Sequence, residues 1–245
     1  MANATAFCFE RYEKKYVLTP GQQAYLLQRM QPYTQKDPYG AYTILNLYYD
    51  TPDYRLIRTS LEKPVYKEKL RMRSYGVPAA DGAVFVELKK KYKGVVYKRR
   101  ITVPAAEALA LLDRGLPAER FGQIGREIAW FQRCNDVQPR VALAYDRLAF
   151  AGREDPEVRI TFDTGLRWRE TALDLLSGDH GAPLMPGDFV LMELKLPGAC
   201  PMWLTRLLSE AALRPVSFSK YGTFYTSQVL PRQAAALQKG GNFCA

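Results

Sequence analysis

The sequence predicts an α+β fold, namely an antiparallel β-barrel with a charged lumen, covered outside by helices. At least six stretches alternate charged and apolar residues with the two-residue period of a β-strand, so each has one charged and one apolar face. Segments with helical apolar stripes lie between these stretches. Because helices would cover the apolar strand faces, the charged faces are left to line a wet interior.

The N-terminal half begins with strands and short helices. In order, its predicted elements are a strand at 7–18, a helix from 20 to about 32, a strand at 42–49, a helix start at 50–53 and a strand at 65–75. Thr19 and Pro20 begin the first helix, as its N-cap and its first helical residue. In the strand at 65–75, Lys69, Arg71 and Arg73 share one face.

A predicted hairpin at 84–103 has the clearest two-faced pattern, with its turn near Lys93 and Gly94. Glu87 and Lys89 share a face of its first strand, opposite the apolar face. The elements that follow are helices at 104–115 and 118–134, strands at 141–150, 157–164 and 189–196, a helix at 199–212, and a short helix ending at 229. No repeat or linker is evident, so residues 1–230 are predicted to form one domain and residues 231–245 a flexible tail.

Composition limits the possible functions. The 245 residues carry a formal net charge of +10, which suggests a polyanionic partner: nucleic acid, a phosphate compound or an anionic membrane surface. Four scattered cysteines and a single histidine, His180, give little support to a zinc site or to a Cys/His or Ser/His catalytic pair. Neither an apolar run of roughly 18 residues nor an apolar N-terminal signal is present, so a cytoplasmic chain without a membrane segment is expected.

The charged strand faces carry far more bases than acids, whereas solubility alone would favour both signs mixed. Their cations are Arg11, Lys15, Lys69, Arg71, Arg73, Lys89, Lys91, Lys98, Arg100, Arg147, Arg159 and Lys195. The opposing acids are chiefly Glu13, Glu87 and Glu193. Arginine and lysine suit phosphate oxygens, and carboxylates suit Mg²⁺ or Mn²⁺. The predicted lumen is therefore a site for a metal-bound polyphosphate.

An ordered series of short motifs adds a family resemblance over residues 7 to about 225. The motifs are RYEKKY at 11–16, NLYYDTPD at 46–53, KLRMRSYG at 69–76, VELK at 86–89, YDRLAF at 145–150, VRITFDT at 158–164, MELK at 192–195 and FSKY at 218–221. The chain resembles the VTC domain, the polyphosphate polymerase domain of the vacuolar transporter chaperone complex, within the triphosphate tunnel metalloenzyme (CYTH-like) superfamily. Arg11 replaces the first glutamate of the superfamily motif, as in VTC domains, which argues against the thiamine-triphosphatase and class IV cyclase branches.

The resemblance implies an enzyme that moves the γ-phosphoryl group of ATP onto a growing inorganic polyphosphate. Two alternatives remain open: a triphosphatase of the same fold, and a non-catalytic polyanion binder, RNA included. Against RNA, the Tyr and Phe residues lie mainly on apolar strand faces or in helices. ATP and polyphosphate are thus the expected partners and nucleic acid is not; the oligomeric state stays open.

Site residues follow from the resemblance together with the strand faces. Phosphate contacts are predicted for Arg11, Lys15, Lys69, Arg71, Arg73, Lys89, Lys98, Tyr145, Arg147, Arg159, Lys195 and Lys220. Glu193 is the first choice of ligand for Mn²⁺ or Mg²⁺, because it matches the metal-binding position of VTC domains; Glu13 and Glu87 are weaker candidates. No general base is required, since phosphoryl transfer depends mainly on positioning and charge.

Overall fold

The computed structural model describes residues 4–9, 12–93, 95–115 and 118–240. Its strands are β1 (Ala4–Phe9), β2 (Tyr12–Leu18), β3 (Thr34–Asp50), β4 (Tyr66–Tyr75), β5 (Ala83–Tyr92), β6 (Val95–Pro104), β7 (Gln138–Gly152), β8 (Arg159–Arg169), β9 (Ala182–Pro183) and β10 (Val190–Leu196). Its helices are α1 (Pro20–Arg29), α2 (Arg55–Leu61), α3 (Ala105–Asp113), α4 (Gly122–Asn135), α5 (Met202–Glu210), α6 (Lys220–Phe224) and α7 (Leu230–Gly240). A 3-10 turn at Ala118–Phe121 precedes α4, and a π-helical turn at Tyr225–Val229 follows α6.

All strand pairs are antiparallel, and the sheet runs in the order β1-β6-β5-β4-β3-β7-β8-β10-β2, with β9 paired to β8. Its two edges, β1 and β2, follow each other in the chain, yet no described hydrogen-bonded ladder joins them. The sheet is therefore not closed into a barrel, which corrects the closed barrel predicted from the sequence. It is strongly curved nonetheless, because side chains from β2 at one edge and from β5 near the other line the same cavity.

Helices cover the outer face of the sheet as the strand pattern predicts. Leu70, Val86 and Leu88 are fully buried in a cluster to which α3 and α4 contribute. A second cluster buries Ile160 and Leu194 against α1 and α5. Burial of apolar area on this scale is the main favourable contribution to folding, so the outer face fixes which strand face turns inward.

An apolar cluster also occupies part of the inner face, which the sequence had not indicated. Tyr221 and Phe224 of α6 pack against Tyr48 of β3 and Leu143 of β7. Tyr221 stacks on Tyr48 with ring centroids 4.8 Å apart, and its hydroxyl donates to buried Asp50 at 2.8 Å. The C-terminal helices thus fill the inner face toward one end of these strands, and the charged surface occupies the rest.

Local signals explain where the helices begin. Thr19 caps α1 in a capping box, accepting from Gln22 N at 3.2 Å while Gln22 Oε1 accepts from Thr19 N at 2.9 Å. The first part of the predicted C-terminal tail forms helix α7, which ends at Gly240. Its run of Gln, Ala, Leu and Lys favours a helix. No helix in the described part of the chain is long and apolar enough to span a membrane.

Candidate functional site

The charged inner face encloses a cavity of about 160 Å³. Eight cationic side chains, two carboxylates, two tyrosines and one serine line it: Lys15, Lys69, Arg71, Arg73, Lys89, Arg147, Lys195, Lys220, Glu13, Glu193, Tyr48, Tyr145 and Ser219. They come from β2, β3, β4, β5, β7, β10 and the start of α6. Strand alternation places most of them, because residues next to them in the chain, such as Leu70, Met72, Leu88 and Leu194, belong to the buried outer face.

Glu87 lies behind the cavity wall and holds three cations in place. Arg71 donates from Nε at 2.9 Å and from Nη2 at 2.7 Å to Glu87 Oε2, and Arg100 donates from Nε at 2.8 Å to Oε1. Lys98 Nζ is 2.6 Å from the same Oε1. Burial alone would raise the pKa of Glu87, but Arg71, Arg73 and the other cations outweigh it and hold that pKa far below its usual range. Glu87 therefore stays charged and orients Arg71 toward the cavity.

A second buried carboxylate, Asp163 on β8, holds the opposite wall. Arg147 donates to it from Nε at 2.6 Å and from Nη2 at 2.8 Å, and Lys220 donates from Nζ at 2.6 Å. Its side chain is fully buried. Burial raises its pKa, but Lys220 and Arg147 lower it by more. Strand alternation puts Asp163 on the same face as Arg159, and the pairing of β7 with β8 brings it opposite Arg147.

A third charged group joins β2 to β10, where Lys15 pairs with Glu193 and Glu13 with Lys195 in the ladder. Lys195 Nζ is 3.1 Å from Glu193 Oε1, and Lys15 Nζ is 3.3 Å from Glu13 Oε1. Burial and repulsion from Glu193 raise the pKa of Glu13, but Lys89, Lys15 and Lys195 bring it below its usual value. The pKa of Glu193 is lowered as well, because Lys195 and Lys15 outweigh its burial. Both carboxylates are therefore ionised and face the cavity.

Lys69 and Lys89 face each other across β4 and β5, and neither pairs with a carboxylate among the described residues. Lys69 Nζ donates only to Ser219 Oγ, at 3.2 Å. Burial, together with Lys89 and other nearby lysines, lowers the pKa of Lys69 to about 8 against the opposing effect of Tyr48. Like charges directly opposite on a ladder are destabilising. This pair is therefore suited to an anion that enters the cavity.

Two tyrosines complete the wall beside the arginines. Arg71 donates from Nη1 to Tyr48 Oη at 3.3 Å, and Arg73 donates from Nη2 to Tyr145 Oη at 3.4 Å. Burial raises the pKa of Tyr48, but Arg71 and Arg73 lower it to about 8. Lys220 Nζ lies 4.1 Å from the centroid of the Tyr145 ring. The sequence had assigned Tyr145 a role but not Tyr48, whose inward position follows from its pairing opposite Arg71.

Comparison with protein families gives a match to the VTC domain over residues 10–228. The chain belongs to the VTC-domain family. Comparison with curated proteins gives no match. The solved structures that resemble this VTC domain include HpAC1 from Hippeastrum, an adenylyl cyclase candidate described as having a dominant triphosphatase activity. HpAC1 is 16% identical in sequence, with a TM-score of 0.51, and the match covers 89% of this chain and 97% of HpAC1. An adenylate cyclase candidate from Vibrio parahaemolyticus is 12% identical, with 87% and 97% covered and a TM-score of 0.46.

These likenesses concern the fold. At 16% identity, the likeness to HpAC1 shows a shared fold alone. The curved antiparallel sheet and its charged inner face are features of this chain. The family prediction made from the motifs is confirmed. The reaction of this VTC domain is a separate question that the geometry of its cavity must address.

Among the described residues, three of the predicted site residues of this VTC domain do not line the cavity. Lys98 and Glu87 lie behind its wall, in the buried ion cluster with Arg71. Arg159 lies outside the lining, its side chain 44% exposed, and it pairs with Asp37 of β3 at 3.4 Å. Arg11 falls outside the described residues. For Glu87 as a metal ligand the structure gives a physical objection, since both of its oxygens already accept from cations.

The carboxylates of this VTC domain fit a divalent metal that arrives with its substrate. No group of three or more potential ligands occurs among the residues that the structure describes. Mg²⁺, however, is usually held by one or two carboxylates together with substrate phosphates. Glu13 and Glu193 are two ionised carboxylates whose mutual repulsion raises the pKa of Glu13. Their ion pairs with Lys15 and Lys195, at 3.1–3.9 Å, are longer than the contacts of Glu87, and both carboxylates face the cavity, so the donor set fits a cation that enters it.

Proposed function

We propose that this VTC domain is a polyphosphate polymerase, which transfers the γ-phosphoryl group of ATP to a growing inorganic polyphosphate. The observation that supports it is the cavity lining, with eight cationic side chains and only two carboxylates. That positive surplus exceeds what a metal-bound triphosphate alone would neutralise. It suits a donor and an acceptor chain held together, as phosphoryl transfer between two polyanions requires.

In this mechanism the arginines hold the donor. Arg71 and Arg147 are each fixed by a buried carboxylate, so their remaining N–H groups are preorganised for phosphate oxygens. Arg73 is oriented by Asn46, to which it donates from Nε at 2.9 Å. Preorganised donors contribute most where charge develops in the transition state, because they need no reorganisation during the reaction.

The lysines hold the terminal phosphates and the acceptor. Neither Lys69 nor Lys89 forms an ion pair with a described carboxylate, and the more distant Glu13 and Glu193 do not offset the burial of Lys89, whose pKa stays below its usual value. An incoming phosphate oxygen would give both lysines a contacting anion. A Mg²⁺ or Mn²⁺ ion held by Glu13 and Glu193 would supply further neutralisation of the phosphate oxygens. An acceptor phosphate is already ionised near neutral pH, so no side chain has to remove a proton.

A hydrolase is the second candidate, and the fold likeness to HpAC1, described as having a dominant triphosphatase activity, favours it. Its cavity would need to admit water to the γ-phosphate in place of an acceptor chain. A non-catalytic polyanion binder is the third, and it requires only the basic surface.

Product identity separates the three. Purified protein is incubated with ATP and either Mn²⁺ or Mg²⁺, and the products are resolved by length on a gel while orthophosphate is assayed in parallel. A ladder of long polyphosphate supports the polymerase. Orthophosphate without polymer identifies a hydrolase, and ATP that remains intact identifies a binder.

A further inference from the structure

Three aromatic rings lie together on the inner face, just beyond the arginines of the cavity. On β4 the inward residues run from Lys69 through Arg71 and Arg73 to Tyr75, which is 50% exposed. The Tyr75 ring centroid is 5.9 Å from that of Tyr42 and 5.8 Å from that of Phe85, both in edge-to-face geometry. We call Tyr42, Tyr75 and Phe85 the aromatic mouth.

Strand pairing places the aromatic mouth directly beside Arg73 and Arg147 of the cavity. Phe85 pairs directly with Arg73, and Tyr42 pairs directly with Arg147. Tyr75 is two residues beyond Arg73, a distance of about 7 Å along a strand. A ligand whose phosphates contact Arg73 and Arg147 therefore brings its next group to these rings.

The opposite direction along the same strands is closed by apolar packing. Tyr221 of α6 stacks on Tyr48 of β3, and Phe224 belongs to the same apolar cluster as Val141 of β7. Tyr42 packs against this cluster as well but stays partly exposed. A bulky group attached to the phosphates thus finds room toward Tyr75 and not toward α6. A ligand with a bulky group at one end of its phosphates can therefore bind in one orientation only, with that group at Tyr75.

The rings are also available to a ligand. Tyr75 is half exposed and Tyr42 and Phe85 are partly exposed. Among the described residues, neither the Tyr42 nor the Tyr75 hydroxyl has a hydrogen-bond partner. Arg100 lies over the Phe85 ring at 4.4 Å from its centroid and supports it. Aromatic residues are expected mainly on apolar strand faces or in helices, and these three rings, like Tyr48 and Tyr145 of the cavity, lie on the inner face instead.

We propose that the aromatic mouth binds the nucleobase of a nucleoside triphosphate whose phosphates lie in the cavity. The base stacks on Tyr75, and the terminal phosphate points inward toward Lys69 and Lys89. This inference rests on the proposed function in taking a nucleoside triphosphate as the donor. It adds where the nucleoside lies and which way the donor is oriented.

The test compares two ligands that differ in the nucleoside. A non-hydrolysable ATP analogue and inorganic tripolyphosphate are titrated, each with Mg²⁺, into the wild type and Tyr75→Ala by calorimetry. We expect Tyr75→Ala to weaken the ATP analogue about tenfold, the range for loss of one base–aromatic stack, and to leave tripolyphosphate unchanged. Tyr75→Phe keeps the ring and should bind the analogue like the wild type.

A matched control lies on the same strand. Tyr66 is 46% exposed at the other end of β4, on the outer face, so Tyr66→Ala should leave both ligands unchanged. Equal loss of both ligands in Tyr75→Ala would show that Tyr75 only supports the fold. Binding of the ATP analogue by Tyr75→Ala as tightly as by the wild type would leave no role for the ring and overturn the inference.

Two further outcomes separate this inference from a nucleic-acid site and from the polymerase proposal. Tighter binding of a short single-stranded oligonucleotide than of the ATP analogue, lost in Tyr75→Ala, would overturn it in favour of a nucleic-acid site. The titration needs no turnover, so a wild type that makes no polymer would contradict the polymerase proposal while the binding result still decides the role of Tyr75.

Discussion

Replacing Asp163 with asparagine removes the negative charge that holds Arg147 and Lys220 at the cavity while keeping the shape of the side chain. In the wild type, Asp163 accepts three hydrogen bonds from these two cations at 2.6–2.8 Å. In the variant, both cations would lie in a wall that is already strongly positive and would lose the only carboxylate that contacts them directly among the described residues, leaving the more distant Glu193. The folded protein should therefore lose stability.

The size of the loss follows from burial. The Asp163 side chain is 0% exposed, and those of Arg147 and Lys220 are each 11% exposed, so water cannot replace the missing charge. Removing one partner of a buried ion pair typically costs about 3–5 kcal/mol. For a domain of this size that corresponds to a fall of roughly 6–20 °C in Tm.

The assay is denaturant unfolding of both proteins at several pH values, without phosphate compounds. The pKa of Asp163 is lowered in the folded state, so its stabilising contribution is present above about pH 4 and is lost as the pH falls through the folded-state pKa. The difference between wild type and variant should hence be constant from pH 5 to 8 and shrink in acid.

Asp179→Asn is the matched control, because Asp179 also pairs with an arginine, Arg167, at 2.6 Å but is 43% exposed. Its loss should be at most about 1 kcal/mol. If Asp163→Asn were no less stable than Asp179→Asn, Asp163 would not be balancing buried cations, and the description of the cavity wall would be wrong.

Three further changes test other parts of the site. Glu193→Gln should lower ATP consumption about 10²-fold or more while the protein stays folded, and wild-type rates with unchanged metal dependence would remove Glu193 from the site. Affinity for tripolyphosphate should decline as the pH rises through about 8, because Lys69 loses its positive charge and Tyr48 gains a negative one. Lys69→Arg and Tyr48→Phe should each remove part of that decline. A pH profile that is unchanged in both variants would contradict the role given to these two groups. Asp37→Asn should free Arg159 and raise tripolyphosphate affinity by up to about fivefold, as for an exposed pair, whereas lower affinity would mean that Asp37 positions Arg159 productively.

Strand alternation was enough to predict which side chains face inward on most strands. The period of two places Lys69, Arg71 and Arg73 together whatever the fold, and the buried outer residues fix the register. The hairpin, with β5 and β6 at Ala83–Tyr92 and Val95–Pro104, also follows from local signals.

Alternation gives no information on strand pairing, and the differences arise there. Glu87 faces inward as predicted, but pairing with Arg71 on one side and Arg100 on the other turns it into the centre of an ion cluster. The same limit concealed Asp163, whose role depends on Arg147 of the neighbouring strand. The apolar packing of Tyr221 on Tyr48 joins residues far apart in the chain, so no local pattern could reveal it.

The most direct measurement is the fate of the γ-phosphate of ATP. Wild type and Glu193→Gln are incubated with γ-labelled ATP, a short polyphosphate primer and Mn²⁺, and the label is followed into long polymer and into orthophosphate. Polymerase activity predicts that the wild type moves most of the label into polymer longer than the primer and that Glu193→Gln moves far less. Label recovered only as orthophosphate from the wild type would contradict it.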